Sequence, residues 1–240
     1  MSELLVQGQP GGVEVWTLNR PDARNALTST LARRLVAEMD RAATENAVHS
    51  VVLIGAGKGF CAGLDLAEFS KPDAPRGVVG DAIRRAHSFP KPLVGAINGP
   101  AVTGGLELAL ACDMLIATPD AVFRDTHLKI GAMSGSGLTV HLPRAVGQSW
   151  SRRMILANDP LPADVALRLG LVTEVVPAEH LRQHAVALAS RIAAMDPDLA
   201  STVKQLCVDI VRVSPAEGLR LEAAALQEHK KRGRAWKTAT

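Results

Sequence analysis

Tyrosine is absent from the 240 residues, and the other rings are scarce: four Phe and three Trp bring the aromatic share to 3%. Chemistry that needs a phenol hydroxyl is excluded, and so is serial stacking of unpaired bases, which uses aromatic platforms. The core must be packed from Leu, Val, Ile and Ala. Cysteine is nearly missing too. Cys61, Cys112 and Cys207 are odd in number and lack metal-ligand spacing, which excludes a disulfide scaffold, leaves no metal site to expect, and points to reduced thiols in a cytoplasmic protein. No apolar run reaches the roughly 18 residues of a membrane span, since Glu107 and Asp113 interrupt the best candidate. No charged segment followed by an apolar stretch opens the chain, so no membrane partner is expected. The net charge of +3 is too small to mark a nucleic-acid partner. Much of it lies between Arg220 and Lys237, where Lys230, Lys231, Arg232 and Arg234 read as a solvated terminal segment.

What is present is an ordinary globular composition, 47% hydrophobic and 21% charged. Residues 13 to 18 alternate in character, as a half-buried strand does. From Thr28, a candidate N-cap, Leu31, Leu35, Met39 and Ala42 recur at helical spacing as far as Glu45. Val51 to Ile54, Leu93 to Ile97 and Met114 to Ala117 are short apolar runs of the kind that fill a sheet covered on both faces. Ser70 to Gly80, rich in breakers, reads as a mobile surface loop. Beyond residue 148 the pattern is helical, at 149 to 157, 163 to 169 closed by Gly170, 178 to 194, 198 to 213 and 216 to 229, with a strand pattern over Leu171 to Val176. The expected class is α/β with a helical C-terminal region. Residues 1–195 form the core, and 196–240 are a helical segment of the same domain that serves oligomerisation or capping.

Two glycine turns, each after a buried strand, carry the chemistry. They run from Gly55 to Leu66 and from Ile97 to Leu108, the second entering an apolar helix. A strand, glycines and a helix start leave backbone N–H groups unpaired with the positive helix end behind them, which suits an oxyanion. Gly57-Lys58-Gly59-Phe60-Cys61-Ala62 formally fits a dinucleotide fingerprint, but Gly63 falls where the helix should run and the later acidic residue is missing. Ser134-Gly135-Ser136-Gly137 lacks the glycine two places before Ser136 that a nucleophile elbow requires.

The chain resembles the enoyl-CoA hydratase/isomerase (crotonase) superfamily from about residue 12 to residue 195. The residues that carry the resemblance are Asn19-Arg20-Pro21, Arg24-Asn25-Ala26-Leu27, Phe60 to Leu66, Lys91-Pro92 leading into Asn98-Gly99, Gly104 to Ala109 with Cys112-Asp113, and Ala166 followed by Gly170-Leu171-Val172, in that order. The resemblance implies a crotonase-like spiral of ββα units assembled as a homotrimer or homohexamer, with acyl-CoA thioesters as substrates and no cofactor beyond that coenzyme A. It places the oxyanion hole at the N–H groups of Leu64 and Gly104 and coenzyme A contacts at Arg24, Ala26, Ala62, Asp65 and Leu66. It makes Glu107 one of two catalytic glutamates, although helical periodicity alone puts that charge on a solvent face.

The second glutamate is replaced by His127. Three roles are open to it: substitute for the lost carboxylate, structural partner of Asp125, or sign of a different reaction. Asp125, two residues earlier, would share a face with His127 in an extended segment and orient its ring. The leading expectation is an enoyl-CoA hydratase-like lyase of fatty acid metabolism. An isomerase or other crotonase-type lyase or hydrolase is one alternative, and a non-catalytic acyl-CoA binding protein is another.

Overall fold

The computed structural model describes residues 2–71, 73–75 and 77–232. It opens with an antiparallel hairpin, β1 (Leu4–Gln9) and β2 (Val13–Leu18), turned through Gly11 and Gly12 at φ 79° and 82°, values that glycine adopts without a Cβ penalty. β3 (Ser50–Gly55), β4 (Leu93–Ile97), β6 (Met114–Ala117) and β9 (Glu174–Val175) then add in parallel, so the sheet reads β1-β2-β3-β4-β6-β9. A smaller sheet holds β5 (Ala101–Val102), β7 (Val122–Arg124) and β8 (Leu161–Pro162), with β5 and β7 parallel.

Parallel neighbours need crossovers, and helices supply them. α1 (Ser29–Thr44) links β2 to β3; α2 (Leu66–Phe69) and α3 (Gly77–His87) link β3 to β4; α4 (Gly104–Leu110) leads to β6. The expected N-cap is in place, with the Thr28 hydroxyl accepting from the Leu31 N–H at 3.0 Å. α5 (Leu138–Ala157), α6 (Ala163–Leu169), α7 (Ala178–Ala193), α8 (Pro197–Ile210) and α9 (Pro215–Lys231) complete the described helices.

The apolar runs are buried on both faces of the sheet. Leu53, Leu93 and Ile97 join Trp16 and Leu18 in a core with α1 and α3, while Val13, Val15, Val52 and Ile54 pack with Leu181, Ala185 and Ala189 of α7. The C-terminal hairpin is different. α8 buries none of its residues and α9 buries only Gly218 among the described residues. Its main polar tie to the body is Lys204, whose Nζ lies 2.8 Å from Asp113 and donates to the Lys91 carbonyl at 2.7 Å.

Two expectations need correction and one needs extension. The segment 70 to 80 is not wholly loop, because α3 starts at Gly77 and buries Val79, Ala82, Ile83 and Ala86; Pro72 and Arg76 lie outside the described residues. The helix placed at 149 to 157 is present, and a further helical stretch from Leu138, containing Pro143, precedes it across a kink at the non-helical Gly147. The strand at 171 to 176 contracts to Glu174–Val175. Residues 233–240, including part of the basic terminal segment, lie outside the described residues.

Candidate active site

The first glycine turn is braced by two asparagines. Asn25 Nδ2 donates to the carbonyls of Ala56 and Gly59 at 2.9 and 2.8 Å, and Asn98 Nδ2 donates to that of Gly57 at 2.9 Å. The carbonyls of the loop therefore brace the turn internally. Residues 60 to 65 next run between two backbone neighbours. Ala62 N donates to Arg24 O and Asp65 N to Leu27 O on one side, while Cys61 N donates to Pro100 O and Val102 N to Cys61 O on the other. The Leu64 and Gly104 N–H groups are not used in any of these bonds. Burial pushes the Cys61 thiol up to about 12, so it is no nucleophile at neutral pH.

The two turns touch backbone to backbone, and glycines make this possible. A Cβ on Gly105 would lie 2.1 Å from the Cys61 carbonyl oxygen, and one on Gly63, at φ 90°, would lie 2.9 Å from that of Val102. A Cβ on Gly104 would be 3.7 Å from the Leu64 nitrogen, so the two free N–H groups are neighbours. Thr103 adopts φ 53°, ψ −110° as it enters α4, a conformation costly for a β-branched residue. Three bonds hold it there: its N–H donates to the Arg124 carbonyl at 2.8 Å, and its hydroxyl accepts from the Thr126 N–H at 3.2 Å and meets the Thr126 hydroxyl at 2.5 Å.

That zipper between β5 and β7 brings Glu107 and His127 to one cavity of about 370 Å³, with Ala62, Leu64, Leu66, Thr103 and Gly104 also in its walls. Glu107 is only 4% exposed, not the solvent-facing charge that periodicity indicates. Its Oε1 accepts from the Ser136 N–H at 3.2 Å, just ahead of α5. Burial raises its pKa, against the lowering influence of His127 and of the Ser136 and Leu138 N–H groups. Asp125 Oδ1 accepts from the His127 backbone N–H at 3.1 Å and lies 2.6 Å from its Nδ1. Although His127 is helical in backbone (φ −55°, ψ −52°) and not extended, the pairing expected of Asp125 is present. Burial works against the imidazolium, but Asp125 and then the Glu107 charge outweigh it, and the His127 pKa is raised.

Sequence reasoning missed the supports. Asn158 Nδ2 donates to the Asp125 carbonyl at 2.6 Å, while its Oδ1 accepts from Arg124 Nε and Nη2 at 2.9 and 2.6 Å. An Asn at the end of a helical pattern, a residue type that often takes the left-handed C-terminal position, was the available signal, and Asn158 sits there at φ 58°. Of the positions assigned to coenzyme A, Ala62 and Leu66 line the cavity, whereas Arg24 is exposed and Ala26 buried beside it. The Asp65 carboxylate is engaged by Arg20 Nη1 at 2.8 Å and caps α2 through the Ala67 and Glu68 N–H groups. A larger cavity of about 850 Å³ lies beneath α8. Its carboxylate, Asp113, is paired with Lys204, and it has no acid and base facing free N–H groups. The smaller cavity is therefore the chemical candidate. Among the described residues no cluster of His, Cys, Asp and Glu is suited to a metal.

The family model described as Enoyl-CoA hydratase/isomerase matches residues 8–235. The chain is 37% identical over 225 residues to the 2,3-dehydroadipyl-CoA hydratase of Escherichia coli (strain K12), covering 92% of this chain and 88% of that protein. It is 35% identical over 201 residues to the short-chain-enoyl-CoA hydratase of Clostridium acetobutylicum, covering 81% and 77%. Among solved structures, an enoyl-CoA hydratase from Bacillus anthracis superposes with a TM-score of 0.90 at 30% identity, over 94% of this chain and 90% of that one.

Proposed function

This chain belongs to the enoyl-CoA hydratase/isomerase family, and from that premise we propose that it is an enoyl-CoA hydratase-like enzyme that adds water across the double bond of a 2-enoyl-CoA thioester. The observation that carries this reading is the meeting of Glu107, the Asp125–His127 pair and two free N–H groups at one cavity. Leu64 and Gly104 donate to the thioester oxygen as negative charge develops on it. With Asp125 holding Nδ1, the other nitrogen of His127 is the one free to serve the substrate. The raised His127 pKa favours an imidazolium, which makes it the acid; its charge in turn favours the Glu107 carboxylate against the raising effect of burial, which makes Glu107 the base. Water oxygen bonds to Cβ while its proton passes to Glu107, the π bond breaks, and His127 delivers a proton to Cα. Return of the Glu107 proton to His127 restores the site.

Coenzyme A lies along Arg24, Ala26, Ala62, Asp65 and Leu66, with Asp65 shaping the wall, its carboxylate held by Arg20 and by the Ala67 and Glu68 N–H groups. The protein assembles as a homotrimer or homohexamer, a reading supported by a hairpin of α8 and α9 that leaves Val203, Val211 and Leu219 exposed. Free thiols, one of them exposed, fit the cytoplasm, and no described helix is long and apolar enough to cross a membrane.

The test is a panel of 2-enoyl-CoAs with product mass as readout. The expected result is addition of water, with kcat falling on the order of a hundredfold or more in Glu107→Gln, the usual range for a general acid or base. Turnover unchanged in that variant overturns the assignment, and a product of unaltered mass assigns isomerisation instead.

A further inference from the structure

We propose that the acyl end of the same cavity is a carboxylate subsite built on Arg84, so that the preferred substrates are 2-enoyl-CoAs whose acyl chain ends in a carboxylate; this rests on the acyl-CoA reading above. Arg84, in the last turn of α3, lines the cavity together with Glu107 and His127, and it is the permanent cation among the described lining residues. Its guanidinium is positioned by two bonds. Nη1 donates to the Gly135 carbonyl at 3.1 Å and Nη2 to Asp81 Oδ1 at 2.6 Å. Five N–H groups are available, so donors remain for a ligand.

A second polar group converges on the same spot. Gly80 leaves bare backbone where a Cβ would lie 3.0 Å from Arg84 Nη1 and 3.3 Å from the Ser136 hydroxyl oxygen. Guanidinium and hydroxyl therefore pack side by side against the bare Gly80 backbone, and all three residues line the cavity. The Ser136 N–H holds Glu107, so this part of the cavity wall adjoins the acid and base, where an acyl chain continues past Cβ. Val79, Ile83, Ile130 and Met133 supply apolar wall for the intervening methylenes. A guanidinium accepts a carboxylate through paired N–H groups, and a hydroxyl adds a third donor. Asp81 competes weakly, since it and Arg84 have side chains 68% and 54% exposed, and ion pairs in that setting are readily exchanged.

The experiment uses matched pairs of 2-enoyl-CoAs of equal chain length, one ending in a carboxylate and the other in a methyl. The wild-type protein is expected to favour the carboxylate member in kcat/KM about tenfold or more, mainly through KM, as loss of one charge-assisted contact implies. Arg84→Gln should abolish that preference by lowering kcat/KM for the carboxylate member about tenfold more than for the methyl member, and Arg84→Lys should restore part of it. Absence of preference in the wild type, or an equal loss for both members in Arg84→Gln, overturns the proposal and leaves Arg84 a clamp on the Gly135 carbonyl. Turnover of neither member defeats the hydratase reading instead. The subsite is then decided by calorimetric binding of the saturated pair, where a carboxylate preference lost in Arg84→Gln supports it and equal affinities overturn it.

Discussion

Asp125 acts at the smallest scale, through a single oxygen 2.6 Å from an imidazole nitrogen. It is 1% exposed, so little solvent screens its charge from His127. The sign of its effect on pH dependence follows. As the acid, His127 must carry its proton, so activity is lost as pH rises through its raised pKa; as the base, Glu107 must be free of one, so activity is lost as pH falls through its own raised pKa. Asp125→Asn removes the anion that holds the imidazolium and that also helps raise the Glu107 pKa, so the alkaline limb of the kcat profile should move to lower pH, with a smaller shift of the acid limb in the same direction. A pH–rate series on both proteins checks this. An alkaline limb that does not move would place the proton donor elsewhere.

At the scale of elements, the two glycines that open α4 have different work despite being adjacent. Gly105→Ala drives a methyl into the Cys61 carbonyl oxygen, a backbone atom that cannot step aside, and should cost about 1–3 kcal/mol or more in urea unfolding. Gly104→Ala meets nothing closer than 3.5 Å, so stability should hold. Its methyl intrudes beside the Leu64 nitrogen, and kcat should fall on the order of a hundredfold, as when one oxyanion donor is lost. Elements with a strong local pattern were legible in the sequence: α1 with its Thr28 cap, α6 closed by Gly170 at φ 82°, and the buried strands β3, β4 and β6. Others were not. Gly77 and Gly80 hid α3, Pro143 and Gly147 hid the start of α5, and β5, β7 and β8 are too short to show a period. Glu107 and His127 were legible as a candidate pair. The burial of Glu107 was not, because the groups that enclose it, Ser136 and the start of α5, come from a turn some thirty residues on, a separation of 29 for Ser136 itself.

For the whole molecule, the hairpin of α8 and α9 is the part least explained by the chain alone. Val211 and Leu219 are 64% and 68% exposed, so charging them costs an isolated chain little. Sedimentation equilibrium should give a trimer or hexamer for the wild type and a smaller species for the double variant Val211→Asp, Leu219→Asp; a monomeric wild type would refute the assembly. The sheet order β1-β2-β3-β4-β6-β9 bears on biosynthesis as well. Each strand joins the edge left by its predecessor, so the sheet can grow as the chain leaves the ribosome, N-terminal part first. Its two faces are not covered at the same time. α1 and α3 arrive between the strands they cover, but the face of Val13, Val15, Val52 and Ile54 waits for α7, and the Ser50 hydroxyl waits for a carbonyl 139 residues later, that of Ala189. Until that helix is made, the nascent sheet exposes an apolar face, the surface on which a chaperone would bind and from which aggregation would start.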